Sequence, residues 1–180
     1  PVFIYGYQDK FKALPGDDTN VALHVTGGTL ATTPAGLQGN GVIDGPWYST
    51  AVTDESYLFW QHVRLAGLAP GVTTPGAADY LPRNASGGVI GIQSGSATNP
   101  PIIGLDANNQ PVPISGTYVI CSTNILGKFV KQLDTQLDDG NTATGSMMAT
   151  PFTPNPSANA QATPTANIKD ADSYTVCMGV

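Results

Sequence analysis

Charge is what this sequence has least of. Only 11% of its 180 residues are Asp, Glu, Lys or Arg, against roughly 25% in an ordinary soluble domain. Basic residues are the scarcer kind, seven against thirteen acids, for a formal charge of −6. Neutralising a phosphate backbone takes clustered Lys and Arg, so nucleic acid is not an expected partner. No apolar run approaches the ~18 residues that a membrane-spanning helix needs, and no signal-peptide pattern is present. Catalytic signatures are missing as well. There are two histidines, His24 and His62, no G-x-S-x-G, no P-loop, no dinucleotide fingerprint and no paired-cysteine zinc pattern. The serines of "GIQSGSA" lack the strand–turn–helix setting of a nucleophile elbow. His62, between Phe59 and Val63, reads as a half-buried structural histidine, and His24 stands in a loop-rich stretch without an evident partner. The chain is not expected to be an enzyme.

Turns are plentiful, by contrast. Glycine (21) and proline (15) together run far above their roughly 12% average share, and Thr, Asn, Ser and Gln fill the remaining surface. That profile suits a secreted or surface protein, and the length suits one domain, residues 1–180. The two cysteines, Cys121 and Cys177, stand 56 residues apart and fit no short metal or redox motif. In an oxidising compartment a bridge closing that loop stabilises by about 4 kcal/mol in the chain-entropy model. Two buried free thiols are the alternative in a cytosolic setting; the composition favours the bridge.

Periodicity predicts three helices and several short strands. Ile4, Tyr7, Phe11 and Leu14 mark one face of a helix over 2–13, which Pro15-Gly16 ends. Val2, Phe3 and Tyr5 point partly away from that stripe. A second helix is signalled by "TDESYLFWQHVRLAGL", with Thr53 or Asp54 as cap, a stripe of Leu58, Phe59, His62, Val63 and Ala66, and a stop at Gly67-Leu68 of the Schellman kind. A third is read over "STNILGKFVKQLDTQLDDG", starting at Ser122 or Thr123, with Leu126, Phe129, Val130, Leu133 and Leu137 on one face and Gly140 at its end. "GGVIGIQSG", "GTYVICST" and "DSYTVCMG" read as strands and "PPIIGLD" as a weaker one. Residues 150–167 have almost nothing to bury and read as a mobile surface loop.

Two loops place Asp, Asn and Gly close together, as oxygen-ligand calcium sites do: "GNGVIDG" with Asp44, and "LDDGNTATGS" with Asp138 and Asp139. Neither has the EF-hand spacing with its closing glutamate. Turn chemistry explains the same residues, since Asp and Asn cap turns and Gly supplies positive φ. The two aspartates nevertheless sit near a negative helix end, where carboxylates are slightly unfavourable. Calcium at Asp138 and Asp139 therefore stays open, and no other cofactor is expected.

In chain order, "YQDKFKALPGDD", "GNGVIDG", "ESYLFWQHVRLAGL" and "QLDTQLDDGNTATGS" resemble the globular part of a type IV pilin-like protein, from Tyr5 to about Ser146. Phe11, Leu14, Pro15, Gly16 and Asp17 stand where such proteins leave their long N-terminal helix, and the Cys121–Cys177 pair is similar to the disulfide-bounded region of these pilins. The resemblance implies an α+β fold, an N-terminal helix packed on an antiparallel sheet with two additional helices in the loops. The sheet is then expected to bury Phe11 and Leu14. Residues 1–14 become the outer half of a longer helix whose inner half crosses the inner membrane before assembly. The resemblance implies a structural subunit of an extracellular filament, partnered by copies of itself or other pilins, with Phe3, Tyr5, Tyr7 and Phe11 as the assembly face. A type II secretion pseudopilin and an adhesive minor subunit are the alternatives within this reading. A freestanding secreted hydrolase or lectin is the alternative outside it.

Overall fold

The computed structural model describes residues 1–180. They are α+β and form two compact units, Pro1–Pro82 with Gly91–Ser94, and Arg83–Ile90 with Gly95–Val180.

The first unit holds helices α1 (Val2–Phe11), α2 (Val21–His24) and α3 (Glu55–Leu65), with residues 91–94 of strand β1 (Ile90–Ser94). Helix α1 stops two residues before the predicted Ala13. Lys12 turns left-handed at φ 57° and returns its N–H to the Gln8 carbonyl at 2.8 Å. Ile4, Tyr7 and Leu14 are buried as the stripe predicts, but Phe11 is only half-buried. Its ring lies in the last turn of the helix, against Tyr7 at 4.7 Å and His24 at 5.1 Å. The partners of the α1 stripe within this unit are α3 and the segment around Val21 and Val25.

Helix α3 departs from the predicted single stripe, because every residue from Glu55 to Arg64 is buried. Loops cover the face that the pattern leaves polar, and α3 holds them with side chains. Gln61 accepts the Thr29 N–H at 2.8 Å and donates to the Thr73 carbonyl at 3.0 Å. Arg64 donates to the carbonyls of Val72, Tyr80 and Pro70 at 2.6–3.3 Å. The helix ends in the predicted Schellman turn: Gly67 has φ 76°, Leu68 N–H reaches the Val63 carbonyl, and Gly67 N–H reaches that of Arg64.

The second unit holds strands β2 (Ile102–Leu105), β3 (Pro111–Pro113), β4 (Tyr118–Leu126), β5 (Met147–Pro151), β6 (Ala160–Gln161) and β7 (Ser173–Gly179), with helix α4 (Gly127–Leu137). Strand β7 lies between β4 and β5, antiparallel to both. Helix α4 packs on these strands through Val130, in a core with Met147, Ala149, Tyr174 and Val176. A smaller sheet pairs β2 antiparallel to β3 and parallel to β6.

Residues 122–126, read from the sequence as the start of the third helix, belong to β4. The β-branched run "YVICST" carries the strand past Ser122. A register shift between Ser122 and Ile125, with Asn124 at φ 59°, then turns the chain into α4. The helix opens on Gly127, where a Cβ would stand 2.1 Å from the Lys169 carbonyl oxygen. The 150–167 segment is tied to its surroundings at several points. Ala160 and Ala162 donate to the carbonyls of Pro101 and Ile103, Thr163 donates to that of Ala149, and Ala162 is buried.

Candidate functional site

Helix α1 presents apolar side chains in two directions. Ile4 and Tyr7 turn inward, while Val2, Phe3 and Tyr5 are 78%, 39% and 57% exposed. Of the four residues expected to form an assembly face, Phe3 and Tyr5 are therefore free, Phe11 is half-covered and Tyr7 is not available at all. Tyr7 is fully buried and its hydroxyl donates to Asp18 at 2.7 Å. Burial, then the bond to Asp18, raises its pKa far above the ordinary tyrosine value.

The "LPGDD" exit is where the first unit is tied together. Gly16 sits at φ 94°, and a Cβ there would stand 2.4 Å from the Glu55 carbonyl oxygen, so no other residue brings the backbone this close to α3. From that position Gly16 N–H donates to His62 Nδ1 at 2.9 Å, and His62 Nε2–H reaches the Thr29 carbonyl at 2.9 Å. His62 is fully buried rather than half-buried. Burial lowers its pKa, which keeps the ring neutral and Nδ1 free to accept. Asp17 accepts the N–H groups of Gly39 and Gly41 in "GNGVIDG". Asp18 also takes His24 Nδ1 at 2.7 Å, which supplies the partner that His24 lacks in the sequence.

Asp44 lies in this first unit, and Asp138 and Asp139 in the second. Its side chain accepts from Asn40 at 2.8 Å, and its N–H donates to Glu55 Oε2 at 2.9 Å. Glu55 itself is fully buried and its second oxygen has no partner. Its pKa is raised to about 7, chiefly by burial and further by Asp17, Asp44 and Asp54, with the Asp44 N–H pulling the other way.

Asp138 and Asp139 are brought together in the second unit, and a third acid joins them. One carboxylate oxygen from each of Asp134, Asp138 and Asp139 lies within 4.8 Å of the others. Asp138 accepts the Met147 N–H at 2.7 Å, and Asp139 accepts from Asn141 N–H and the Thr144 hydroxyl. Asp134 is fully buried, and neither of its oxygens has a hydrogen-bond partner. Burial first, then Asp139 and Asp138, raise its pKa to about 6. The sequence signal for Asp134 is its place on the helix, four residues after buried Val130 and four before Asp138. A carboxylate at that spacing belongs to the covered face.

Cys121 and Cys177 face each other across β4 and β7, with Cα atoms 4.0 Å apart, and are disulfide-bonded. The chain matches no protein-family model, no curated protein and no solved structure.

Proposed function

We propose that this chain is the surface-exposed head of a subunit of an extracellular, type IV pilus-like filament, and that its fold is of the pilin kind. The observation that carries the reading is the doubled apolar character of α1. Ile4 and Tyr7 give the helix its contacts with the core, and Val2, Phe3 and Tyr5 leave a second, exposed apolar surface on the same helix. A neighbouring subunit packing along the same helix would cover it. Two further features support the reading. The "F-x-x-L-P-G-D" exit has a structural reason to be kept, since Gly16 and Asp17 lock the end of α1 to α3 and to the 39–41 loop. The bonded cysteine pair favours a pilin over a major pseudopilin. In this reading the protein works as structure, with copies of itself or other pilins as partners, at the cell surface.

Phe3→Ala tests it. The variant is expected to melt within about 2 °C of the parent chain, because surface substitutions are usually worth less than ±0.5 kcal/mol. Filaments sheared from cells carrying the same change are expected to fall several-fold. Unchanged filament numbers with Phe3→Ala and Tyr5→Ala combined would remove the assembly face.

A further inference from the structure

Asp134 presents an electrostatic problem that the rest of the structure does not solve. It is fully buried with both oxygens unpartnered. A buried carboxylate must find donors, a counter-charge or a proton. It stands in the last turn of α4, where the helix dipole is negative, and its two carboxylate neighbours add like charge. The nearest basic residue on the helix, Lys131, is paired with Asp170, and no lysine, arginine or histidine forms an ion pair with any of the three acids.

We propose that Asp134, Asp138 and Asp139 form a calcium-binding site at the end of α4. All the side-chain donors are oxygens, with no histidine or cysteine in the group, which selects a hard cation. Calcium–oxygen distances run from about 2.3 to 2.6 Å, so ligands on opposite sides of one ion lie roughly 4.8 Å apart. The three carboxylate oxygens fall within that span. Gly145 stands against the Asp138 carboxylate. At φ 78°, a Cβ on Gly145 would stand 2.1 Å from Asp138 Oδ2, so the position must stay bare. Of the three acids, Asp138 lines a depression of about 460 Å³ with Thr144, Gly145 and Ser146. Magnesium fits less well, as it demands a tighter octahedron and gives up its water reluctantly. An ion here turns Asp134 from an unpaired buried acid into a ligand and fixes the α4–β5 loop.

The test uses the chain stripped with EGTA and then titrated with calcium chloride or magnesium chloride. Calcium at about a hundred times its Kd is expected to raise Tm by roughly 5–10 °C, with magnesium giving less than half of that. Calorimetry should find one calcium per chain. Asp134→Asn should abolish the calcium response yet melt no lower than the parent in EGTA, because it removes a buried unpaired acid. Asp139→Asn, at an exposed position, should keep the EGTA melting point and weaken calcium at least tenfold. A parent Tm indifferent to calcium, magnesium and EGTA overturns the site. So does an undiminished calcium response in Asp134→Asn.

Discussion

The two units solve the same problem by opposite means. The second unit is built on ladders: β7 is paired on both sides, α4 covers the sheet, and the Cys121–Cys177 bond fixes the register covalently. The first unit has little regular structure and is held by side chains that reach the backbone of long loops. Arg64, Gln61, His62, Asp17 and Asp18 each bind a different part of the chain to α3 or to the α1 exit. A loop-rich unit can therefore have a well-defined interior, provided that its buried polar groups are the ones tying the loops down. This also explains why α3 is buried all round without being apolar all round.

Each unit also buries an acid on a helix, and the two acids differ in their support. Glu55 begins α3, at the positive end of the dipole, and accepts one backbone N–H. Asp134 lies in the final turn of α4 and accepts nothing. The first is partly stabilised by its own fold. The second requires something from outside it, a proton or an ion.

The largest expected effect separates the covalent strap from the ladders. Cys121→Ala with Cys177→Ala should cost about 4 kcal/mol for a loop of 56 residues, read from urea denaturation. A loss under ~1 kcal/mol would mean that the strand pairing alone holds the second unit.

In the first unit, Arg64→Ala should cost about 3 kcal/mol, since it leaves three carbonyls without their charged donor. Arg64→Lys should recover less than half, because an ammonium cannot serve all three acceptors from one fork. Full rescue by Lys would show that charge matters there and geometry does not.

The smallest effect is a slope. With its pKa raised to about 7, Glu55 holds a proton in the native state that the unfolded chain has released above pH ~4.5. The unfolded state then binds fewer protons, so this group's contribution to stability is full at low pH and is lost as pH rises towards 7. Glu55→Gln should flatten the fall in Tm between pH 5 and 7. Asp134 has the same sign in calcium-free buffer, with its own fall ending near pH 6. Calcium should cancel the Asp134 share and leave the Glu55 share intact. If calcium removes the whole slope, the two acids are not independent.

Much of this was legible in the chain because some residues act locally. Gly67 ends α3 because it accepts positive φ cheaply, and Pro15 bars α1 from running on, although the helix already stops at the left-handed Lys12. The short β-branched runs around Cys121 and Cys177 mark strands by the same local logic. Phe11 and residues 122–126 were misread for a shared reason. A 3.6-residue period shows which side chains align, but not where the helix begins or what covers its end, so Leu126 fell into register with Phe129 and Val130 while lying in a strand.

What the sequence determined by itself is therefore the set of turns, the inward stripe of Ile4, Tyr7 and Leu14, and an even pair of cysteines. Their causes lie in φ preference and side-chain spacing over a few residues. Of the stripe read for α4 only Val130 is buried, while Phe129 and Leu137 are exposed. The tertiary structure alone decided that Tyr7 faces inward while Phe3 and Tyr5 do not. It also decided that His62 accepts from Gly16, and that Asp134 is sealed from water beside two other acids. Burial and partnership depend on segments that meet across tens of residues, and no local pattern carries that information.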